Sequence, residues 1–143
     1  MQADRNYSVT VDSNPVTEDS DFIRAQLLSF NAKHVGSDNH ELLSVFAKDS
    51  SGNLIAGLLG GTYWNWLHIE FLWVQEHIRR NGIGADLLDA AEKAARERGC
   101  RHAHVETHDF QSPTFYLKHG YEIFANLDDL PLGHKKIFLK KTL

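Results

Sequence analysis

The segment from Ile69 to Arg98 constrains the fold of this chain more than any other part of it. An apolar run, Ile69–Val74, is followed by a turn with two arginines and two glycines, Arg79–Gly84, and then by the stretch Ala85–Arg98. In that last stretch apolar residues recur at three- and four-residue intervals, which predicts an amphipathic helix. The chain therefore contains a strand, a glycine turn and a helix in direct succession, an arrangement typical of α/β proteins.

The turn Arg79–Gly84 predicts a binding site for a phosphate group. The first N–H groups of a helix have no intrahelical acceptor and lie at the positive end of the helix dipole. Gly82 and Gly84 let the backbone approach a bulky anion closely, and Arg79 and Arg80 add positive charge. We therefore expect a phosphate-bearing ligand at this turn.

The composition limits the class of protein. With 143 residues the chain is long enough for a single domain, residues 1–143, with its own core. No apolar run approaches the roughly 20 residues of a membrane span, and residues 1–6 lack the zones of a signal peptide. The single cysteine, Cys100, fits a reducing cytoplasm, and a net charge of −4 argues against general nucleic-acid binding. We expect a cytoplasmic protein whose partners include neither nucleic acid nor a membrane.

Hydrophobic periodicity along the chain predicts a mixed α/β (α+β) domain with a central sheet. The predicted strands, in chain order, are Tyr7–Val11, Leu42–Lys48, Leu54–Tyr63, Trp66–Val74, Arg101–Thr107, Tyr121–Phe124 and Lys136–Leu139. Helices are predicted after a cap at Ser20, over Ala85–Arg98 and from Ser112 to His119, and Asn31–His40 is predicted to be a loop. Because the middle strands form a hairpin meander, the sheet is not expected to be wholly parallel.

Two other phosphate-binding turns do not fit the segment. A P-loop requires Gly-Lys-Ser/Thr, which does not follow the first glycine here. A Rossmann fingerprint requires a third small residue where this chain has Leu87, and it follows a strand near the chain start, whereas four predicted strands precede this turn. An ordinary strand-to-helix turn without a ligand is the remaining alternative.

The pattern Arg79-x-x-Gly82-x-Gly84 resembles the acetyl-CoA pyrophosphate motif of the GNAT superfamily of N-acetyltransferases. A second stretch, Phe115–Tyr121, is similar to the tyrosine, basic residue and glycine-aromatic ending of the same family. The two motifs lie about 35 residues apart with a predicted strand between them. The resemblance covers most of the chain, is strongest over residues 68–124, and implies a GNAT-like acyl-CoA N-acyltransferase fold. That fold has a central, mostly antiparallel sheet flanked by helices.

The resemblance also implies acetyl-CoA as co-substrate, lying along the strand that ends at Val74. The pantetheine amides would pair with this strand, one of its amides would polarise the thioester carbonyl, and the turn would hold the pyrophosphate. Many relatives have an asparagine before the third helix where this chain has Gln111 and Ser112. The residues implied to bind the cofactor are Leu72, Trp73, Val74, Arg79, Arg80, Asn81, Gly82, Ile83, Gly84, Ala85 and Gln111.

The implied reaction is direct acyl transfer from sulfur to an amine, which needs a base because an ammonium group cannot attack. Relatives place the base on either of two neighbouring strands. His68 and Glu70 alternate along the first of these, so they are expected to share a face that Leu72 continues. Glu70 is the first candidate, followed by Glu106 and His68. The alternative is a structural pair in which a carboxylate orients a histidine.

Tyr116 matches the tyrosine that serves the family as a general acid for the leaving thiolate. Its alternative role is core packing between Phe115 and Tyr121. Although the chain has nine histidines, of which His102 and His104 share a face, neither a cysteine nor a closely spaced carboxylate completes a zinc set. No metal is therefore expected.

The sequence leaves the acceptor open. The resemblance implies a primary amine of a small molecule or a peptide, such as an aminoglycoside-like compound or a polyamine, and it allows a homodimer. A non-catalytic acetyl-CoA-binding sensor or interaction module is the alternative function. The presence of Tyr116 together with Glu70 favours the enzyme.

Overall fold

The computed structural model describes residues 6–143. The expectation of no signal peptide concerns a stretch whose first five residues lie outside this range. The chain divides into two compact units, one ending at Ser37 and the other spanning Asp38–Leu143. Within the described residues, no helix is both long enough and apolar enough to cross a membrane.

The described part of the first unit, from residue 6 onward, contains one helix, α1 (Thr17–Val35). It begins earlier than predicted, with Val16 rather than Ser20 in the capping position. It also continues through the first part of the segment predicted to be a loop, so the loop prediction is wrong up to Val35. Lys33 in the last turn favours this extension, because a positive charge stabilises the C-terminal end of the helix dipole.

The predicted first strand, Tyr7–Val11, is wrong, since these residues adopt no regular secondary structure. Alternating apolar and polar residues fit a strand only where a neighbouring strand accepts its backbone hydrogen bonds. The sheet of the second unit begins at Glu41 instead.

The second unit is built around a six-stranded sheet, which is mixed as predicted, whereas the seventh predicted strand, Tyr7–Val11, is not formed. Its strands are β1 (Glu41–Lys48), β2 (Leu54–Tyr63), β3 (Trp66–Val74), β4 (His102–His108), β5 (Glu122–Asp128) and β6 (Lys135–Thr142). They lie in the order β1-β2-β3-β4-β6-β5, and every neighbouring pair is antiparallel except β3 and β4. A 3₁₀ turn (Glu76–Ile78) and α2 (Ile83–Glu97) connect β3 to β4, and α3 (Pro113–Lys118) connects β4 to β5.

The core lies between α2 and one face of the sheet. Helix α2 buries an apolar stripe that includes Leu88 and Ala91, and it contacts β1, β2 and β3. Opposite it, alternate sheet residues such as Leu58 and Leu67 are fully buried. Each fully buried leucine contributes about 1.5–3 kcal/mol, so this layer holds the sheet and helix together. Cys100 is buried in the same cluster, where burial raises the pKa of its thiol.

Strand β3 contains a bulge at Glu70. Ile69 lies opposite Gly60 of β2 and Phe71 lies opposite Leu59, so the intervening Glu70 has no opposing residue in that strand. Such an extra residue bends a strand and reverses the side on which later side chains lie.

The bulge changes which residues of β3 face the core. Leu67 and Ile69 are buried in the core before the bulge, whereas Leu72 and Val74 pack against it afterwards. The expectation that Leu72 continues the face of His68 is therefore wrong. The alternation of a regular strand does not persist through an inserted residue.

Gly60 is required at the bulge because the backbone of β3 passes directly over it. A Cβ atom at this position would overlap with the carbonyl oxygen of His68. We expect Gly60→Ala to lower the free energy of unfolding by about 1–3 kcal/mol, since the backbone must shift to relieve the overlap. Urea denaturation measures this change. Gly57→Ala is the control, because a Cβ at Gly57 would make only ordinary contacts, with the Phe46 ring at 3.4 Å and the Val45 carbonyl oxygen at 3.5 Å. Equal stability of the two variants would contradict the argument.

Candidate active site

Strands β3 and β4 pair only over their first halves. Trp66–Ile69 lies in register with His102–Val105, and no pairing continues beyond Ile69 and Val105. The strands part where the bulge at Glu70 bends β3. The resulting V-shaped opening leaves the later edge of β3 without a neighbouring strand on that side.

A groove of about 1000 Å³ runs from this opening to the start of α2. Among the residues predicted to be catalytic or to bind the cofactor, only Asn81 and His68 do not line it. Its walls are formed by Glu70, Phe71, Leu72, Trp73, Val74, Ile78, Arg79, Arg80, Gly82, Ile83, Gly84, Ala85, Glu106, Thr107, Phe110, Gln111, Ser112, Thr114, Phe115, Tyr116, Lys118 and His119.

Sequence reasoning found only Tyr116 in the part of the wall formed by α3 and the residue that follows it. Phe115, Lys118 and His119 also line the groove but were not among the candidates. Their three- and four-residue spacing along α3 and its C-cap is the signal that could have found them. The His119 ring is held at 2.8 Å, Nδ1 to oxygen, from the carbonyl of Phe115.

The glycine turn is held to the end of β3 by a side chain. The Arg79 Nε donates a hydrogen bond to the carbonyl oxygen of Val74 at 2.9 Å. Arg80 and Gly82 both adopt left-handed backbone angles, with φ of 70° and 82°. Glycine adopts this conformation without strain, which explains its use at the residue that precedes α2.

Helix α2 begins inside the turn, two residues earlier than predicted. Its capping residue is Gly82, which has no side chain to accept a hydrogen bond from the helix start. The first backbone bond of the helix runs from Asp86 N to Gly82 O at 3.0 Å. The N–H groups of Ile83, Gly84 and Ala85 therefore have no intrahelical acceptor and are available to an anion in the groove.

Three of the predicted acid–base residues lie together at the V-shaped opening. The Nε2 of His68 is 2.8 Å from a carboxylate oxygen of Glu106, and its Nδ1 is 3.9 Å from one of Glu70. The side chains of His68 and Glu106 are 22% and 26% exposed, whereas that of Glu70 is 53% exposed. His68 thus lies between two carboxylates, of which Glu70 is the more accessible.

His104 extends this group across the sheet. It lies in register with His68, and the two rings stack with centroids 4.3 Å apart and planes 4° from parallel. Its Nδ1 is 3.9 Å from the second carboxylate oxygen of Glu106. Burial lowers the pKa of His104, and the nearby His68 ring lowers it further, while Glu106 has the opposite effect. We call His68, Glu70, His104 and Glu106 the histidine–glutamate cluster.

Tyr116 lies on α3 with only 4% of its surface exposed, and it lines the groove. Its ring packs edge-on against Phe115 and Tyr121, with centroids 5.2 and 5.6 Å away. Burial raises the pKa of Tyr116 to about 12. The phenol therefore keeps its proton at neutral pH and is a hydrogen-bond donor.

Gln111 joins the end of β4 to the loop before α3. Its side-chain oxygen accepts hydrogen bonds from the Thr107 hydroxyl at 3.1 Å and from the His108 N–H at 3.0 Å. This oxygen shapes the groove wall by closing the loop.

The groove combines features that suit a long phosphate-bearing ligand. One end presents helix N–H groups, the middle presents a strand edge, the opening presents two carboxylates, and a phenol lines the wall. The groove thus contains both a potential proton donor and potential proton acceptors.

Comparison with known proteins identifies relatives of the chain. Residues 6–121 match the model of the acetyltransferase (GNAT) family. A blasticidin-S acetyltransferase of Streptomyces morookaense is 41% identical over 104 residues, which cover 72% of this chain and 76% of the relative.

Solved structures share the fold. An acetyltransferase from Bacillus cereus has a TM-score of 0.84 at 33% identity, with 94% of this chain and 98% of that one covered. An acetyltransferase from Bacillus anthracis, solved in complex with acetyl coenzyme A, has a TM-score of 0.63. It is 22% identical over 71% of this chain and 62% of its own, so it supports the fold alone.

Proposed function

Because the chain belongs to the GNAT family of acetyltransferases, we propose that it transfers an acetyl group from acetyl-CoA directly to a primary amine. The acceptor is a small molecule or a peptide. One observation carries this proposal: an anion site, a free strand edge, a protonated phenol and two carboxylates line a single groove. We also propose that residues 1–143 act as one acetyltransferase domain in the cytoplasm, as a monomer or a homodimer.

Acetyl-CoA fits the groove by chemistry at both ends. Its pyrophosphate would accept hydrogen bonds from the N–H groups that begin α2, with Arg80 adding positive charge. Its pantetheine arm would lie along Leu72–Val74 and pair with the strand edge that β4 leaves free. The thioester then reaches the V-shaped opening. A relative of the same fold is solved with acetyl coenzyme A bound.

Two groups that line the groove would move the protons of the reaction. The amine nitrogen attacks the thioester carbon, the carbon–sulfur bond breaks, and the acetyl group becomes an amide. Glu70 accepts the proton that the amine loses, directly or through water, and the Tyr116 phenol donates a proton to the leaving thiolate. His68 and Glu106 position Glu70 from behind, since His68 lies between the two carboxylates.

Glu70→Gln tests the base. We expect kcat/KM to fall by about 100-fold, because an amide of the same shape cannot accept the proton of the amine. Steady-state kinetics with a fixed amine acceptor measures the loss.

Glu106→Gln is the matched control for the base. Its amide oxygen can still accept a hydrogen bond from His68, so the arrangement of the cluster is retained. We expect a smaller loss than in Glu70→Gln. If Glu70→Gln stays within about twofold of wild type while Glu106→Gln loses the activity, Glu106 rather than Glu70 is the base.

Measurement of thiol release from acetyl-CoA with a panel of amines tests the activity itself. Blasticidin S is the first acceptor to try, because a relative is named for it. Aminoglycosides, polyamines and peptide amines complete the panel. Acetyl-CoA binding without transfer to any amine would favour the alternative function, a non-catalytic sensor or interaction module.

A further inference from the structure

We propose that His68, His104 and Glu106 form a binding site for a divalent transition-metal cation of the Zn²⁺ class. We further propose that the bound ion blocks acetyl transfer, a second part that rests on the proposed function. One potential ligand atom from each of the three side chains lies within 4.8 Å of the others. No comparison assigns a metal to this position.

The sheet places the ligands at fixed positions. His68 and His104 are direct neighbours in the parallel register of β3 and β4, within the four-residue segment where these strands pair. Glu106 follows His104 by two residues, so it lies on the same face of β4. The backbone spacing between the ligands is therefore set by strand geometry and not by a loop.

Glu106 reaches both imidazoles. One carboxylate oxygen is 2.8 Å from His68 Nε2 and the other is 3.9 Å from His104 Nδ1. Two histidines and one carboxylate with an open fourth position form a ligand set that binds zinc in other proteins. The sequence analysis did not assemble this set, because His68 lies on a different strand from His104 and Glu106.

Glu70 lies near the nitrogen of His68 at which such a site has its outer contact. A histidine that binds a metal through one nitrogen usually donates its other N–H to a carboxylate, which fixes the ring orientation. The carboxylate of Glu70 is 3.9 Å from His68 Nδ1, on the side of the ring away from Glu106. Together the two carboxylates would neutralise the charge of a divalent ion.

The site is accessible but requires one rearrangement. The ligand side chains are about a quarter exposed, so an ion can enter from solvent. Because the two rings stack nearly parallel, their lone pairs do not converge, and one imidazole must turn about its Cβ–Cγ bond. Ligand atoms around a tetrahedral zinc are about 3.3 Å apart, so rotation of side chains closes the site without moving the strands.

Metal binding would oppose catalysis because both processes use the same groups. Glu106 lines the groove, and His68 lies against the proposed base, Glu70. An ion held there would place positive charge where a cationic amine must enter. It would also occupy the carboxylate that supports the base.

Calorimetric titration of the full chain with Zn²⁺, without acetyl-CoA or a histidine tag, tests the site. We expect one ion to bind per chain, and His104→Ala to weaken the affinity at least about tenfold. His102→Ala is the matched control, because His102 lies on the same strand and face but stacks on Trp66 instead, at 4.6 Å between ring centroids. Equal affinity of wild type and His104→Ala, or absence of binding, would overturn the site.

Inhibition is measured separately, by mass spectrometry of the acetylated amine, because Zn²⁺ also binds the thiol of released coenzyme A. Zinc should inhibit acetyl transfer by wild type and by His102→Ala at similar concentrations. For His104→Ala, the zinc concentration that halves the rate should be at least about tenfold higher. Zinc binding at the site with an unchanged transfer rate would overturn the inhibitory part. Zinc binding in a protein that acetylates no amine would support the site but overturn both the inhibitory part and the proposed function.

Discussion

Replacing Tyr116 with phenylalanine is expected to lower kcat by about 10²–10⁴-fold, while the Kd for acetyl-CoA changes by less than about twofold. The substitution removes only the hydroxyl group. The ring, which packs against Phe115 and Tyr121, is kept, so the groove should retain its shape. The loss should therefore lie in the chemical step, where the thiolate leaves without a proton donor.

The pKa of Tyr116 adds a further expectation. Since burial raises it to about 12, the phenol remains protonated across the pH range in which the protein can be assayed. Any loss of wild-type activity below about pH 10 should then come from another group, and Tyr116→Phe should leave that loss in place. Steady-state kinetics with calorimetry of acetyl-CoA binding separates kcat from binding.

Tyr121→Phe is the matched control for Tyr116→Phe. The Tyr121 hydroxyl donates to the buried carboxylate of Glu92 at 2.9 Å, and Tyr121 does not line the groove. Its loss should destabilise the fold by about 1–3 kcal/mol, because Glu92 loses a partner, with little change in kcat. If Tyr116→Phe keeps the wild-type kcat, Tyr116 is not the acid.

Gly84→Asp is expected to weaken acetyl-CoA binding by at least about 100-fold, or about 2.8 kcal/mol. Gly84 lies in the first turn of α2 and lines the groove. A carboxylate there would repel the pyrophosphate and compete with it for the free N–H groups. Calorimetry with acetyl-CoA measures the loss, and unchanged affinity would contradict the assignment of the turn.

Gly84→Asn separates charge from size. The added Cβ meets the Phe115 ring at 3.3 Å in either variant, so both carry the same steric cost. The difference in affinity between them then reports the repulsion of the added charge. An acidic residue near the start of a helix is favourable, so the added charge should not lower the melting temperature of Gly84→Asp. Unfolding therefore should not account for its loss of affinity for acetyl-CoA.

The sequence was sufficient to predict the parts of the fold that depend on local pattern. The middle strands, the amphipathic helix and the glycine turn all emerge from periodicity and turn chemistry. The strand predicted at Tyr7–Val11 failed because alternation cannot show whether a partner strand exists. Asn31–Val35 is ambiguous for a similar reason, because its residues have only a weak preference for helix and yet extend α1.

The bulge at Glu70 was beyond prediction from local pattern. It depends on the close approach of His68 to Gly60, a residue on another strand, and nothing in the β3 sequence alone marks an extra residue. Its effect is to bring Glu70 to the groove while moving Leu72 toward the core.

The contacts within the histidine–glutamate cluster required the register between strands. The sequence placed His68 with Glu70, and His102 with His104, because each pair alternates along one strand. The 2.8 Å contact between His68 and Glu106 arises only because β3 and β4 run parallel in one particular alignment. The candidate residues were thus predictable, while their partners were not.

Because β3 and β4 pair over a short stretch, the six-stranded sheet consists of two three-stranded halves with few backbone hydrogen bonds between them. Only Trp66–Ile69 and His102–Val105 are joined across this junction. A pantetheine arm hydrogen-bonded to the free edge of β3 would bridge this junction and add inter-strand hydrogen bonds that the polypeptide itself does not supply. The co-substrate would then stabilise the fold by an amount that grows with the logarithm of its concentration once that concentration exceeds Kd.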